Sequence, residues 1–209
     1  MLFRSDEVRA VNIIPGATEF GYDTEIVTRE PEPGVTEPEN AHVSAVSSDW
    51  SMSLDQLTAT CRNLKGASLV VAWFGTDLRC GTCEVKPGVE VADKITDPES
   101  WIVNGIARAD AYLVSSSGGS PAFGGTPSDA SVIRAIQDLK ARGLKTTFYP
   151  FILMDVPAGN GLVDPYGGTE QSVYPWRGRI TSSMAPGLPG TPDGTVDCAN
   201  EIADFVVSA

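Results

Sequence analysis

The sequence predicts an α/β fold with parallel strands, and three observations carry that expectation. Thr126–Asp155 reads as one α-to-β unit: a capped amphipathic helix, Gly143, the apolar run Leu144–Met154, then a carboxylate. Ser53–Phe74 repeats the order, with a helical pattern, Gly66 and a continuous apolar run. Such runs suit strands buried on both faces. A long polar loop rich in Gly and Pro follows each run, whereas the turns before the runs are short. Long loops after strands are what an active-site face of an α/β protein requires.

The elements follow in order. Val8–Pro15 is a short apolar stretch, read as one strand. Residues 1–55 hold eleven Asp or Glu against three Arg, and residues 28–40 are rich in Pro and Glu. Such composition packs no core. Residues 1–52 are therefore expected to be an acidic leader and linker, with the folded domain at 53–209. Leu2-Phe3-Arg4-Ser5 matches the translation of a common sequencing adaptor, so Met1–Ser5 is expected to be a read-through scar.

Ser53 and Gln56 have capping-box spacing, and Leu54, Leu57, Cys61 and Leu64 share a helical face. Ser68–Phe74 is the first buried strand. Trp101–Ile106 and Ala111–Ser115 are candidate hairpin strands inside the loop that runs from Gly75 to Gly125. Thr126 is placed to cap the second helix, with Pro127 in its first turn. Val132, Ile133, Ile136 and Leu139 form that helix's expected buried stripe. Gly143 ends it. A last helix is expected from about Thr195, with Val196, Ala199, Ala203 and Val206 on its apolar face.

The net charge of -12 argues against nucleic acid and anionic membrane surfaces as partners. No apolar run approaches the ~20 residues of a membrane span, and no signal-peptide pattern opens the chain. The single histidine, His42, lies beside the acidic segment and leaves no Ser-His-Asp arrangement. The glycine pairs lack the Lys-Ser/Thr of a phosphate loop. No metal and no cofactor is expected.

Cys80-Gly-Thr-Cys83 is a CxxC motif after a strand. A redox pair would need its first thiol at a helix N-terminus. Pro87, Gly88 and the valines after Cys83 do not continue a helix. A loop staple, in which Cys80 and Cys83 form a disulfide, and a buried thiol pair are the readings preferred to a thiol–disulfide oxidoreductase.

Asp77 and Asp155 each follow an apolar run, and aromatic residues cluster around them in sequence: Trp73, Phe74, Phe123, Tyr149, Tyr166, Tyr174 and Trp176. Flat rings beside carboxylates suit sugars, whose C–H faces stack on the rings while their hydroxyls bond to the acids. Arg177 and Arg179 could hold an acidic sugar. Asp77, Asp155, Trp176, Arg177, Tyr166 and Phe123 are the candidate substrate-binding residues. Glycoside hydrolysis needs two carboxylates. No glutamate stands at a strand end, and the catalytic residues are left unassigned.

A series of words in the chain is similar to a known family. They include Ser53-Leu-Asp-Gln-Leu57, Val70-Val-Ala-Trp-Phe-Gly75, Asp77-Leu-Arg-Cys-Gly-Thr-Cys83, Pro121-Ala-Phe-Gly-Gly-Thr-Pro-Ser-Asp129, Asp155-Val-Pro-Ala-Gly-Asn-Gly161, Asp164-Pro-Tyr166 and Tyr174-Pro-Trp-Arg-Gly-Arg-Ile180. Over residues 53–180 the chain resembles the TIM-barrel-like, glycoside-hydrolase-related domain of the tail-tip "megatron" baseplate proteins of gene transfer agents and tailed phages.

The resemblance implies an incomplete (β/α) barrel whose later strands lie beyond Ala209, together with the main catalytic carboxylates. It implies a protein of the virion or gene-transfer-agent tail tip, made in the bacterial cytoplasm. The expected partners are a cell-envelope polysaccharide or peptidoglycan and other tail or baseplate proteins. The expected activity is binding, with glycoside hydrolysis as a candidate step. A non-catalytic structural or receptor-binding tail module is the alternative. Under the resemblance, the Cys80/Cys83 pair is a loop feature of the family.

Overall fold

The computed structural model describes residues 4–15, 19–175 and 177–208. The fold is mixed α/β. Its elements begin with strand β1 (Ala10–Ile13), the hairpin β2 (Thr28–Glu32) and β3 (Val35–Pro38), and helix α1 (Asp49–Thr60). Strand β4 (Gly66–Gly75), the short β5 (Val85–Lys86), helix α2 (Asp129–Ala141), strand β6 (Lys145–Met154) and helix α3 (Val196–Ser208) follow. Two-residue strands fill the loop between β5 and α2, among them the hairpin of Ile102–Val103 with Ile106–Ala107.

The main sheet has the order β1-β4-β6, with β5 added antiparallel to the end of β4. β1 pairs with β4 in parallel, Ala10 opposite Gly66 and Ile13 opposite Leu69. The Lys145 N–H donates to the Lys65 carbonyl at the start of β6, and the Asp155 N–H to the Gly75 carbonyl just past its end, both at 2.9 Å. The chain offset is the same at both ends, so β4 and β6 are parallel and in constant register.

The barrel expectation is overturned. Among the described residues there are three α-helices, the three parallel strands form an open sheet, and the remaining strands form small separate sheets. Closing a barrel needs enough tilted, staggered strands to meet edge to edge. Here the loop after β4 spends its residues on short hairpins rather than on further helix–strand repeats.

Local signals explain the helices, with shifts. α1 begins at Asp49, earlier than the Ser53 capping box, because the Ser48 side chain accepts the Ser51 N–H. α2 is capped by Ser128, not Thr126, and the Ser128 hydroxyl accepts the Ser131 N–H at 3.2 Å. The buried stripe of α2 is Ser131, Val132, Ala135 and Leu139. Ile133, expected inside, is 53% exposed. Gly143 has φ of +75°, which lets the Leu144 N–H close on the Leu139 carbonyl at 2.9 Å. The stripe of α3 also differs from expectation: Val196 and Val206 are exposed, and no residue of α3 is fully buried.

The chain divides into two compact units. One comprises Met1–Val71, Val89–Ala111 and Gly124–Phe151; the other comprises Ala72–Gly88, Tyr112–Phe123 and Ile152–Ala209. The division cuts through β4 and β6, so the chain crosses it several times rather than once near residue 52.

In the first unit the segment read as a leader supplies core. Phe20, Tyr22 and Val27 have no solvent exposure. The Tyr22 hydroxyl reaches the carbonyl oxygens of Ile13 (2.7 Å) and Val70 (2.8 Å), and its ring meets Trp50 edge-on. Residues 28–38, read as a linker, form the β2–β3 hairpin, which also pairs with Thr96–Asp97. Burying Asn40 explains the connection. Its side-chain amide donates to the carbonyls of Phe20 and Glu25, and its oxygen accepts the Val27 N–H. In the second unit Leu78, Cys83, Val85, Met154 and Val156 form an apolar cluster, with Trp73, Ile152, Leu162, Tyr166, Ile180 and Phe205 packed on it.

Candidate functional site in the second unit

The residues just past the ends of β4 and β6 belong to one unit, and they build two different carboxylate environments. Asp155 follows Met154 directly and is 2% exposed. One carboxylate oxygen, Oδ2, accepts the Tyr112 hydroxyl (2.7 Å) and the Ser115 N–H (2.8 Å). The other, Oδ1, accepts the Ser115 hydroxyl at 2.5 Å. Every one of these donors is neutral. The Ser115 and Tyr174 hydroxyls are 3.2 Å apart. Tyr174 has φ of +45°, uncommon for a side-chain-bearing residue, and its N–H donates to the Val156 carbonyl.

Four rings surround this group in a chain of contacts. Tyr112 lies 6.1 Å from Phe74, Phe74 5.9 Å from Phe123, and Phe123 5.3 Å from Tyr174 in a T-shaped pair. Phe74 is buried, while Tyr112, Phe123, Tyr174 and Ser115 are half-buried and open to a ligand. Burial, and then the neighbouring Asp155 carboxylate, raises the Tyr112 pKa above the ordinary phenol value, so its proton stays on the oxygen. A hydroxyl whose proton is committed to a carboxylate is left to act as an acceptor. Asp155 therefore converts Ser115 and Tyr112 into oriented acceptors beside aromatic walls.

Asp77 is closed instead by charge. Its carboxylate accepts the Arg79 backbone N–H (2.8 Å), the Arg79 Nε (3.0 Å) and the Gln171 amide (2.6 Å), and pairs with Arg79 Nη2. Burial works to raise its pKa, but the Arg79 and Gln171 bonds outweigh it and hold the carboxyl below its ordinary value. The Gln171 oxygen in turn accepts the Leu78 N–H. Asp77 thus fixes the loop after β4.

Tyr166 is also committed. Its hydroxyl donates to the Arg179 carbonyl at 2.6 Å, the Arg179 guanidinium lies 4.4 Å over its ring, and its body packs on the apolar cluster. Of the expected set, Asp155 and Phe123 belong to the four-ring group, and Asp77 and Tyr166 are held by separate contacts. Trp176 and the Arg177 side chain lie outside the described residues. Tyr112 and Ser115 were missed. They sit in a loop whose sequence carries no motif, and their partner is 40 or more residues away.

Cys80 and Cys83 are both free thiols. Cys83 is buried in the apolar cluster, while the Cys80 thiol faces the Glu201 carboxylate at 3.8 Å. The pair occupies a turn rather than a helix N-terminus. Burial, then the charge of Glu201, pushes the Cys80 pKa up, and burial pushes up that of Cys83. Both effects disfavour the thiolate that redox catalysis needs.

Among the described residues no group of three or more His, Cys, Asp or Glu is arranged to hold a metal ion. No described helix is long and apolar enough to cross a membrane. No family model matches the chain, and no curated protein matches it.

Proposed function

We propose that this chain is a carbohydrate-binding element of a tail-tip or baseplate-type protein, directed at a cell-envelope polysaccharide or peptidoglycan. The observation that carries the reading is Asp155, a buried carboxylate satisfied by hydroxyls and an amide inside a group of aromatic rings. Sugars present C–H faces to rings and O–H donors to acceptors, and the half-buried Phe123, Tyr174, Ser115 and Tyr112 offer both. The resemblance of residues 53–180 to tail-tip proteins supports the polymer named and the assembly partners.

Binding is favoured over cleavage. Hydrolysis asks for two carboxylates facing one substrate, and the Asp77 oxygens are already taken up by Arg79 and Gln171. Affinity for purified peptidoglycan fragments and envelope polysaccharides, measured by calorimetry, tests the reading. Phe123→Ala and Tyr174→Ala are each expected to weaken binding several-fold without releasing reducing ends in either form. Wild-type protein that binds none of these glycans, or variants that bind as tightly as wild type, would sink it.

A further inference from the structure

In the first unit an open cavity of about 520 Å³ lies at the start of the main sheet. Among the described residues three exposed cations line it, Arg9, Lys65 and Lys145, with Asn12, Ser68 and Thr147 beside them and no carboxylate in its wall. The backbone sets their spacing. The N–H groups of Lys65 and Gly66 both donate to the Arg9 carbonyl (2.7 and 3.2 Å), and the Lys145 N–H donates to the Lys65 carbonyl (2.9 Å). The three bases therefore stand at one end of three adjacent strands. Neighbouring strands lie about 4.8 Å apart, so the row spans roughly 10 Å.

Water and salt screen much of the repulsion between these exposed side chains, but their positive potentials add over the row. The chain has 27 acidic residues against 15 Lys and Arg, so neutralising partners are abundant. Most described Lys and Arg elsewhere are ion-paired. Lys65 and Lys145 enter no ion pair among the described residues, and Arg9 donates to the Asp6 carbonyl rather than to a carboxylate. An unpaired row of positive charge in an acidic chain is a surface to which an anion can bring the missing charge.

We propose that the Arg9–Lys65–Lys145 cavity binds a small polyanion, a ligand with two or more phosphate or carboxylate groups that bridge neighbouring strands. Asn12, Ser68 and Thr147 supply further donors to its oxygens. The site is distinct from the Asp155 group and does not depend on the carbohydrate reading.

Calorimetry of the whole chain at low salt, with tripolyphosphate and citrate as probes and acetate as control, tests it. Expected is binding of a polyanion about tenfold or more tighter than acetate, weakened by added NaCl. A Lys65→Gln/Lys145→Gln double variant, checked for folding by its melting curve, should lose most of it, whereas Tyr174→Ala should keep it. Tighter tripolyphosphate binding assigns the phosphate class, and tighter citrate binding the carboxylate class. Binding no tighter than acetate, or undiminished in a folded double variant, overturns the proposal. Should the double variant not fold, loss of binding in Arg9→Gln replaces it as the expected result, and retention there overturns the proposal.

Discussion

Two buried carboxylates, one in each unit, are solvated in opposite ways. Glu19 in the first unit has no solvent exposure and is met by cations. Arg108 bonds to both of its oxygens (3.1 and 2.6 Å), and Lys94 approaches at 3.2 Å. Lys94 also serves Glu39 (3.0 Å) and Glu90 (3.4 Å), so one ammonium is shared by three acids. Asp155 in the second unit is equally hidden, yet is met by hydroxyls and an amide. A carboxylate locked by cations is closed to further partners. One held by hydroxyls orients them, and those hydroxyls stay half-open to a ligand. The contrast separates a structural knot from the surface proposed to bind sugars.

The knot should break hardest. Lys94→Met removes the cation shared by Glu19, Glu39 and Glu90 and leaves their charges under-compensated in a buried site. Breaking one partner of a buried ionic network costs about 3–5 kcal/mol, and that loss is expected in urea denaturation. Burial, partly offset by Lys94 and reinforced by Glu19, raises the Glu90 pKa. A Lys94→Met protein as stable as wild type would show that the knot is peripheral to the first unit.

Asp155→Ala sharpens the other side. It leaves the Tyr112 and Ser115 hydroxyls and the Ser115 N–H without their acceptor. Stranded donors cost about 1–3 kcal/mol, less than the knot because no charge is orphaned and the hydroxyls can turn toward water. Glycan affinity should fall in the same variant, as the acceptors lose their orientation. Denaturation together with calorimetry reads both. A stability loss with unchanged affinity would make Asp155 a loop brace, like Asp77.

How much of this was legible follows the range of each interaction. β4 was readable because a continuous apolar run between turn residues is a local pattern; β6 was bounded by Gly143 and Asp155, yet it lies mostly exposed or half-buried. Gly143 was readable because a left-handed helix end favours glycine. The caps were misplaced by five residues and by two because Ser48 and Ser128 compete with Ser53 and Thr126, which are equally good by type. The barrel was inferred from resemblance, and the hairpin expected between Trp101–Ile106 and Ala111–Ser115 instead closes within the first of these, Ile102–Val103 on Ile106–Ala107. The Glu19–Lys94 contact spans 75 positions and Ser115–Asp155 spans 40, so composition alone turned Glu19 and its neighbours into a leader. Asp77 and Asp155 look alike in sequence, each an aspartate past an apolar run. Only Arg79, two residues from Asp77, hinted at the difference.

The smallest effect tests that hint by pH. The Asp77 pKa is depressed in the folded state, with burial opposed and outweighed by Arg79 and Gln171. A depressed carboxyl stabilises the fold above its unfolded pKa, about 3.9, and that contribution fades as pH falls through the folded value. Asp77→Asn should remove this part of the acid limb while leaving the neutral-pH melting temperature only slightly lower. Arg79 is partly exposed, so water can replace the lost partner. Melting curves from neutral pH down to about pH 3 compare the two proteins. If Asp77→Asn keeps the full wild-type acid sensitivity, the Arg79 and Gln171 bonds do not hold the Asp77 carboxyl below its ordinary range.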